Sequence, residues 1–302
     1  PLAPGQYEWQ PEKAPSGPLL IVVSIDDQMS YVYRNGTMIG RSTVSTGREG
    51  KETPTGVFSI LEKRKDHESN IYKGAKMPNM QRLTWTGIAL HAGDLPGYPA
   101  SAGCIRLPLE FSAKLFEATA VGATVAITQR SRYPSESETP ASLLLSTNVD
   151  QDSFPIPNRQ PFWDPNKSPS GPVALLLSLG DQTLYVYRNG ILVGQAPIGI
   201  APGNEPIPGG LFLMLNGTLP GENPIVPGRP MRPWSILTID AEKNPQTYPL
   251  TLLRTRVRVH PNFAQKVYDL MAPGSLMLVT RDKSTGDTQS GRDFVIMDRG
   301  SQ

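Results

Sequence analysis

The chain has 302 residues, with 29 Lys plus Arg against 27 Asp plus Glu, three His and a single Cys. That length suits two domains at roughly 100–200 residues each, and a net charge of +2 lacks the basic excess of a nucleic-acid binder. One Cys excludes an intrachain disulfide and a Cys-built zinc site, and His67, His91 and His260 stand far apart, so no metal and no other cofactor is expected.

Pro and Gly number 31 and 28, which suits a fold of many strands and turns. The longest apolar runs, Leu19–Val23 and Val173–Leu177, are strand-sized and far short of the roughly 18–20 residues of a membrane span. The chain starts at Pro1, as expected of a processed or trimmed N-terminus whose signal peptide lies outside the sequence.

In chain order, Leu19–Ile25 is a buried-strand run and Met29–Arg34 alternates around Tyr31 and Tyr33. Asn35-Gly36 supplies the positive-φ pair of a tight hairpin turn, with Thr37–Val44 as the return strand and Gly56–Leu61 as another. Ile88–Leu90 is strand-like and ends at His91. Leu109–Thr119 places Phe111 and Leu115 on one helical face, with Gly122 as a stop, and Val121–Thr128 closes the set as a strand.

This order of elements then recurs. Shifted by 154, Gln6–Leu61 matches Gln160–Leu215 without a gap, at 22 identities in 56 positions. Trp9, Gly40, Pro54 and Gly56 fall on Trp163, Gly194, Pro208 and Gly210. Towards the end the shift is 152, which sets 110–118 on 262–270. A period this long means duplicated domains, since solenoid repeats run at about 20–50 residues. The expected fold is therefore mainly β with one substantial helix per domain. Residues 1–130 form the first domain, 131–160 a linker and 161–302 the second.

A lone Cys is either a small buried apolar residue or a reactive thiol, and the neighbours of Cys104 favour the second. A Cys nucleophile needs a base and donors for the oxyanion. His91 precedes a Gly- and Pro-rich loop, Gly93–Ala100; the small residues Ser101-Ala102-Gly103 lead into Cys104; Arg106 is a short reach for an anionic group. A helix starting just after Cys104 would stabilise the thiolate. Met80 and Trp85 precede the site and either line a substrate cleft or pack the core. With Ser101, Tyr98 and Arg106 they are the candidate substrate contacts.

This segment resembles the L,D-transpeptidase (YkuD-type) catalytic domain, whose signature is a His, a loop, then Ser-His-Gly-Cys, an aliphatic residue and Arg or Asn. Here it reads His91…Ser101-Ala102-Gly103-Cys104-Ile105-Arg106, with Ala102 at the usual second His. The stretch Thr46-Gly47…Thr53-Pro54-Thr55-Gly56 looks like the family's Gly- and Thr-rich segment, and the resemblance spans Leu19–Thr128. It implies two tandem domains of this fold and acyl transfer on peptidoglycan stem peptides, both donor and acceptor, through a thioester on Cys104. His91 would be the base, the Ala92 carbonyl would orient its ring, and the Gly103 and Cys104 amides would hold the oxyanion. It further implies acylation by carbapenems and a periplasmic location. Alternatives are L,D-carboxypeptidase or hydrolase action on the same bonds, attachment of a protein to the wall, and a non-catalytic wall-binding protein.

In the second repeat Arg256 falls on Cys104, and Asp240 on His91 when Trp234 is set on Trp85. The second copy is therefore expected to be degenerate and inactive, and to shape the first domain's cleft, bind the wall itself or merely stabilise the first.

Overall fold

The structure is a computed structural model and describes residues 2–69, 74–129, 135–136, 155–223, 226–238, 250–281, 283 and 295–299. The chain divides into two compact units, residues 1–133 with 292–302, and residues 134–291. The expected linker lies largely outside the described residues.

The first unit contains β1 (Tyr7–Trp9), β2 (Leu19–Ser24), β3 (Met29–Arg34), β4 (Thr37–Thr43), β5 (Thr55–Ser59), β6 (Glu62–Arg64), β7 (Met80–Arg82), β8 (Ala89–Ala92), β9 (Ile105–Leu107), α1 (Leu109–Ala118) and β10 (Thr124–Thr128). The first hairpin turns on Asn35 and Gly36, at φ of 47° and 82°, the conformation that matches strand twist in two-residue turns. The main sheet runs β1-β4-β3-β2-β10-β5, and the late strand β22 (Val295–Arg299) extends it beyond β5. A small sheet, β6-β7-β8-β9, carries the site. Sheet residues Ile21, Val23, Val32, Phe58, Val125 and Ile127 meet Phe111 and Leu115 of α1 in one core, which also takes Leu90, Ile105 and Leu107 from the small sheet. Burying one such side chain contributes roughly 1.5–3 kcal/mol, so the small sheet is held by the same core as the large one.

The second unit contains β11 (Ser135–Glu136), β12 (Phe162–Trp163), β13 (Val173–Ser178), β14 (Thr183–Arg188), β15 (Ile191–Ile200), β16 (Gly210–Met214), β17 (Leu219–Glu222), β18 (Pro230–Met231), β19 (Trp234–Thr238), α2 (Leu250–Arg256), β20 (Val257–Val259), α3 (Pro261–Leu270) and β21 (Leu276–Thr280). Its sheet order, β12-β15-β14-β13-β21-β16, repeats that of the first unit strand for strand, and β19 and β11 follow. The fold is mainly β, as expected, with one ten-residue helix in each unit and the shorter α2 besides. Among the described residues no helix is long and apolar enough to cross a membrane.

The recurring Trp and Gly positions have a packing reason. Trp9 stands edge-on to Phe111 of α1, with centroids 5.7 Å apart at 86°. Trp163 does the same to Phe263 at 5.5 Å and 83°. Each Trp also covers a glycine on the neighbouring strand: a Cβ at Gly40 would sit 2.6 Å from a Trp9 ring carbon, and one at Gly194 would sit 2.5 Å from Trp163. The indole thus bridges helix and sheet at a spot where no side chain fits. Gly40→Ala should displace Trp9 and destabilise the protein by about 1–3 kcal/mol, read as a lower midpoint in chemical denaturation. An unchanged midpoint would show that the ring relaxes freely.

Candidate active site

The small sheet brings the motif residues together. Strands β8 and β9 pair in parallel, with Leu90 opposite Ile105 and His91 opposite Arg106. Cys104 is the residue before β9, so His91 and Cys104, separated by a long loop in sequence, open into the same cavity. That cavity has a volume of about 940 Å³, and Ser101, Ala102, Arg106, Met77 and Gly87 also line it.

His91 is buried on β8. Its Nδ1 lies 2.7 Å from the Ala92 carbonyl oxygen. A carbonyl only accepts, so Nδ1 carries the proton and Nε2 of the neutral ring holds the free lone pair. Burial lowers the His91 pKa; the bond to Ala92 opposes that shift, and the Arg106 and His67 charges add to it. The ring is thereby kept neutral and basic at Nε2.

The Cys104 thiol donates to the Gly87 carbonyl at 3.3 Å. Burial raises its pKa, against a smaller downward pull from the Ala89 backbone and from Arg106 and Arg82. Both shifts favour a thiol and a neutral imidazole in the cavity over a thiolate and an imidazolium. No helix end lowers the thiol pKa: contrary to the sequence expectation, strand β9 and Pro108 stand between Cys104 and the start of α1 at Leu109. The chain must pair with β8 before it can turn, and that pairing decides the outcome.

The loop before Cys104 is fixed by two hydroxyls. Ser101 Oγ accepts from the Gly103 amide at 3.1 Å and donates to the Cys104 carbonyl at 2.5 Å. Gly103, proposed from the sequence as an oxyanion donor, thus has its N–H taken by Ser101 in this structure. Gly103 has φ of 115°, and a Cβ there would lie 2.9 Å from Ile88 Cδ1, so only glycine fits. Thr53, buried at 4% exposure, accepts from the Gly47 amide and donates to the Gly103 carbonyl, both at 2.8 Å. In the sequence Thr53 stands out only as part of the Gly- and Thr-rich stretch.

Other expected contacts lie elsewhere. Met80 is fully buried in a small cluster with Met77 and Ala89, against which Cys104 packs. It belongs to the cluster that Cys104 packs against and does not line the cavity. Trp85 and Tyr98 are exposed, at 49% and 62%, and neither is among the cavity residues. Trp85 instead lies under the Arg82 guanidinium at 5.6 Å, and Tyr98 contributes its carbonyl to Ser45 Oγ. Arg106 does line the cavity, with its stem against Gly93. The lining also holds Arg48, Lys51 and Lys76 against one acidic residue, Asp94. Arg48, Lys51 and Lys76 were missed because they fall outside the motif, and Arg48 and Lys51 alternate with Glu49 and Glu52, so no basic run marks them. Among the described residues no group of His, Cys, Asp and Glu could hold a metal ion.

The second unit shows what stands at the equivalent place. The bridge Gly199–Arg258 falls on Ser45–Arg106 of the first unit, which sets Arg256 on Cys104. Helix α2, Leu250–Arg256, replaces the loop 98–104. Arg256 donates through Nε to the Ala201 carbonyl at 3.0 Å and through Nη1 to the Glu205 carbonyl. Ile207, buried in the apolar core, stands at the place of Thr53. Asp240 lies outside the described residues.

Residues 18–127 match the YkuD family model, described as the L,D-transpeptidase catalytic domain. Solved structures similar to the chain include an L,D-transpeptidase from Stackebrandtia nassauensis, at 29% identity over 39% of this chain and 58% of that one, with a TM-score of 0.35. An L,D-transpeptidase from Mycobacterium smegmatis is 21% identical over 37% and 59%, with a TM-score of 0.34. L,D-transpeptidase 3 from Mycobacterium tuberculosis, in complex with a faropenem-derived adduct, is 22% identical over 38% and 61%, with a TM-score of 0.34. The chain spans about three fifths of each of these proteins. No curated protein sequence matches it. His91 and Cys104 both lie within residues 18–127, the stretch that matches the L,D-transpeptidase catalytic domain model.

Proposed function

We propose that the first unit transfers the acyl group of a peptidoglycan stem peptide to an amine acceptor, forming cross-links outside the cytoplasm in the periplasm. The observation that carries this reading is the His91 tautomer: Nδ1 bound to the Ala92 carbonyl leaves Nε2 as a base in the cavity that holds Cys104. In the first half-reaction His91 takes the thiol proton as Sγ bonds to the scissile carbonyl carbon. The tetrahedral oxyanion needs donors, and the Cys104 amide is the one we assign. Collapse breaks the amide bond, His91 returns the proton to the leaving amine, and a thioester remains. An acceptor amine then repeats the sequence in reverse and releases the thiol. The lining cations, Arg48, Lys51, Lys76 and Arg106, suit the carboxylates of such peptides.

The second unit, in this reading, is a copy without acyl-transfer activity. Arg256 stands in place of the nucleophile and ties down the facing loop. Its part in the chain is to stabilise or to bind.

Two outcomes test the proposal. Cys104→Ala in the full chain should lower turnover of purified muropeptides by at least about 10³-fold, read by mass spectrometry of the products. Residual turnover at the wild-type level would place the chemistry elsewhere. Products with a new cross-link identify an amine acceptor, whereas trimmed stems alone identify water and overturn the cross-linking reading. The pH dependence separates base from thiol. Protonation of His91 removes the base, and its pKa is held below the ordinary value near 6.5, so the acid limb of acylation by a carbapenem should fall below pH 6.5. Alkylation of Cys104 by iodoacetamide needs free thiolate and should rise only above the ordinary thiol range, because burial raises that pKa. Coincident limbs would instead indicate a preformed ion pair.

A further inference from the structure

We propose that Thr53 is a positioning residue that aims the Cys104 amide at the oxyanion. This rests on the acyl-transfer reading above and adds a residue that the nucleophile motif does not contain. The Thr53 hydroxyl is buried and makes two bonds, accepting from Gly47 N–H and donating to Gly103 C=O. The carbonyl it holds belongs to the peptide between Gly103 and Cys104. That peptide is trans, so its C=O and N–H point in opposite directions. Fixing the carbonyl against Thr53 therefore turns the Cys104 N–H away from the Thr53 side.

Three further observations agree. The neighbouring amide, Gly103 N–H, is held by Ser101 Oγ, which leaves Cys104 N–H as the loop donor for a negative oxygen. Gly47, the second partner of Thr53, sits where an added Cβ would come within 2.0 Å of the Lys51 carbonyl oxygen, so the loop that delivers Thr53 has one tight path. In the second unit, where Arg256 stands in the nucleophile's place, the equivalent of Thr53 is the apolar Ile207. The hydroxyl is present where there is a nucleophile to aim and absent where there is none.

The test uses the full chain and compares Thr53→Val with Thr53→Ser. Oriented oxyanion donors typically contribute about 10²–10³-fold, and misaiming one without removing it should cost Thr53→Val about 10–100-fold in the rate constant of acylation by a carbapenem. The loss should appear in the maximal rate and leave the half-saturating concentration within about 3-fold, since the lining cations are untouched. Thr53→Ser keeps the hydroxyl and should stay within about 3-fold of wild type. Iodoacetamide alkylation forms no oxyanion, so its rate at a fixed pH should be equal in all three proteins. If Thr53→Val fails to melt cooperatively, Thr53→Ala takes its place with the same expectation. Acylation of the hydroxyl-free variant at the wild-type rate overturns the inference. So does a parallel loss in alkylation, which would mean general collapse of the loop. Failure of the wild-type chain itself to form an adduct would refute the acyl-transfer reading instead.

Discussion

The parallel pairing of two very short strands, β8 and β9, is what the site depends on. It sets Leu90 beside Ile105 and His91 beside Arg106, which fixes His91 relative to the strand that begins one residue after Cys104. Parallel neighbours cannot be joined by a tight hairpin, so the chain must leave β8 by a long excursion and return. That excursion is the loop that forms one wall of the cavity, and its last residues are Ser101 to Cys104. Strands this short hold only because Leu90, Ile105 and Leu107 enter the core shared with the main sheet and α1. The geometry of the site therefore has the stability of the domain behind it.

The electrostatics follow from the same burial. A buried thiol and a buried imidazole both favour their neutral forms, and both shifts appear here. Arg106 pulls the thiol pKa down and pushes the imidazole the same way. It thus favours thiolate without favouring imidazolium. In the proposed reaction such a pair would pass the proton during bond formation and take it back afterwards.

The hairpins were legible in the sequence because their physics is local. Asn35-Gly36 and the alternation around Tyr31 dictate a turn and a strand whatever surrounds them. The recurrence of Trp9 with Gly40 as Trp163 with Gly194 was legible because each pair is locked by close contact and leaves fixed marks. The small sheet was not. Strands β6, β7 and β9 have three residues each, too few to show a period, and their pairing is dictated by the core. The helix expected right after Cys104 failed for that reason. Cys104 and His91 share one cavity, whereas Met80, Trp85 and Tyr98 were chosen by proximity in sequence, which does not report direction. Met80 points into the core and the other two out to solvent. The contact of Thr53 with Gly103 was not legible because the two are fifty residues apart and only the folded chain brings them together.

The resting thiol has a consequence beyond turnover. Peroxide and other small electrophiles react with thiolate, and the oxidation ladder from sulfenic to sulfonic acid starts there. A thiol that is kept protonated by burial and hydrogen-bonded to the Gly87 carbonyl presents little of that species to a passing oxidant. In the proposed reaction it would become a nucleophile only when an acyl carbon is seated close enough for His91 to take the proton. Burial thus acts as a safety catch, and this single cysteine can wait in its reduced form without a disulfide partner.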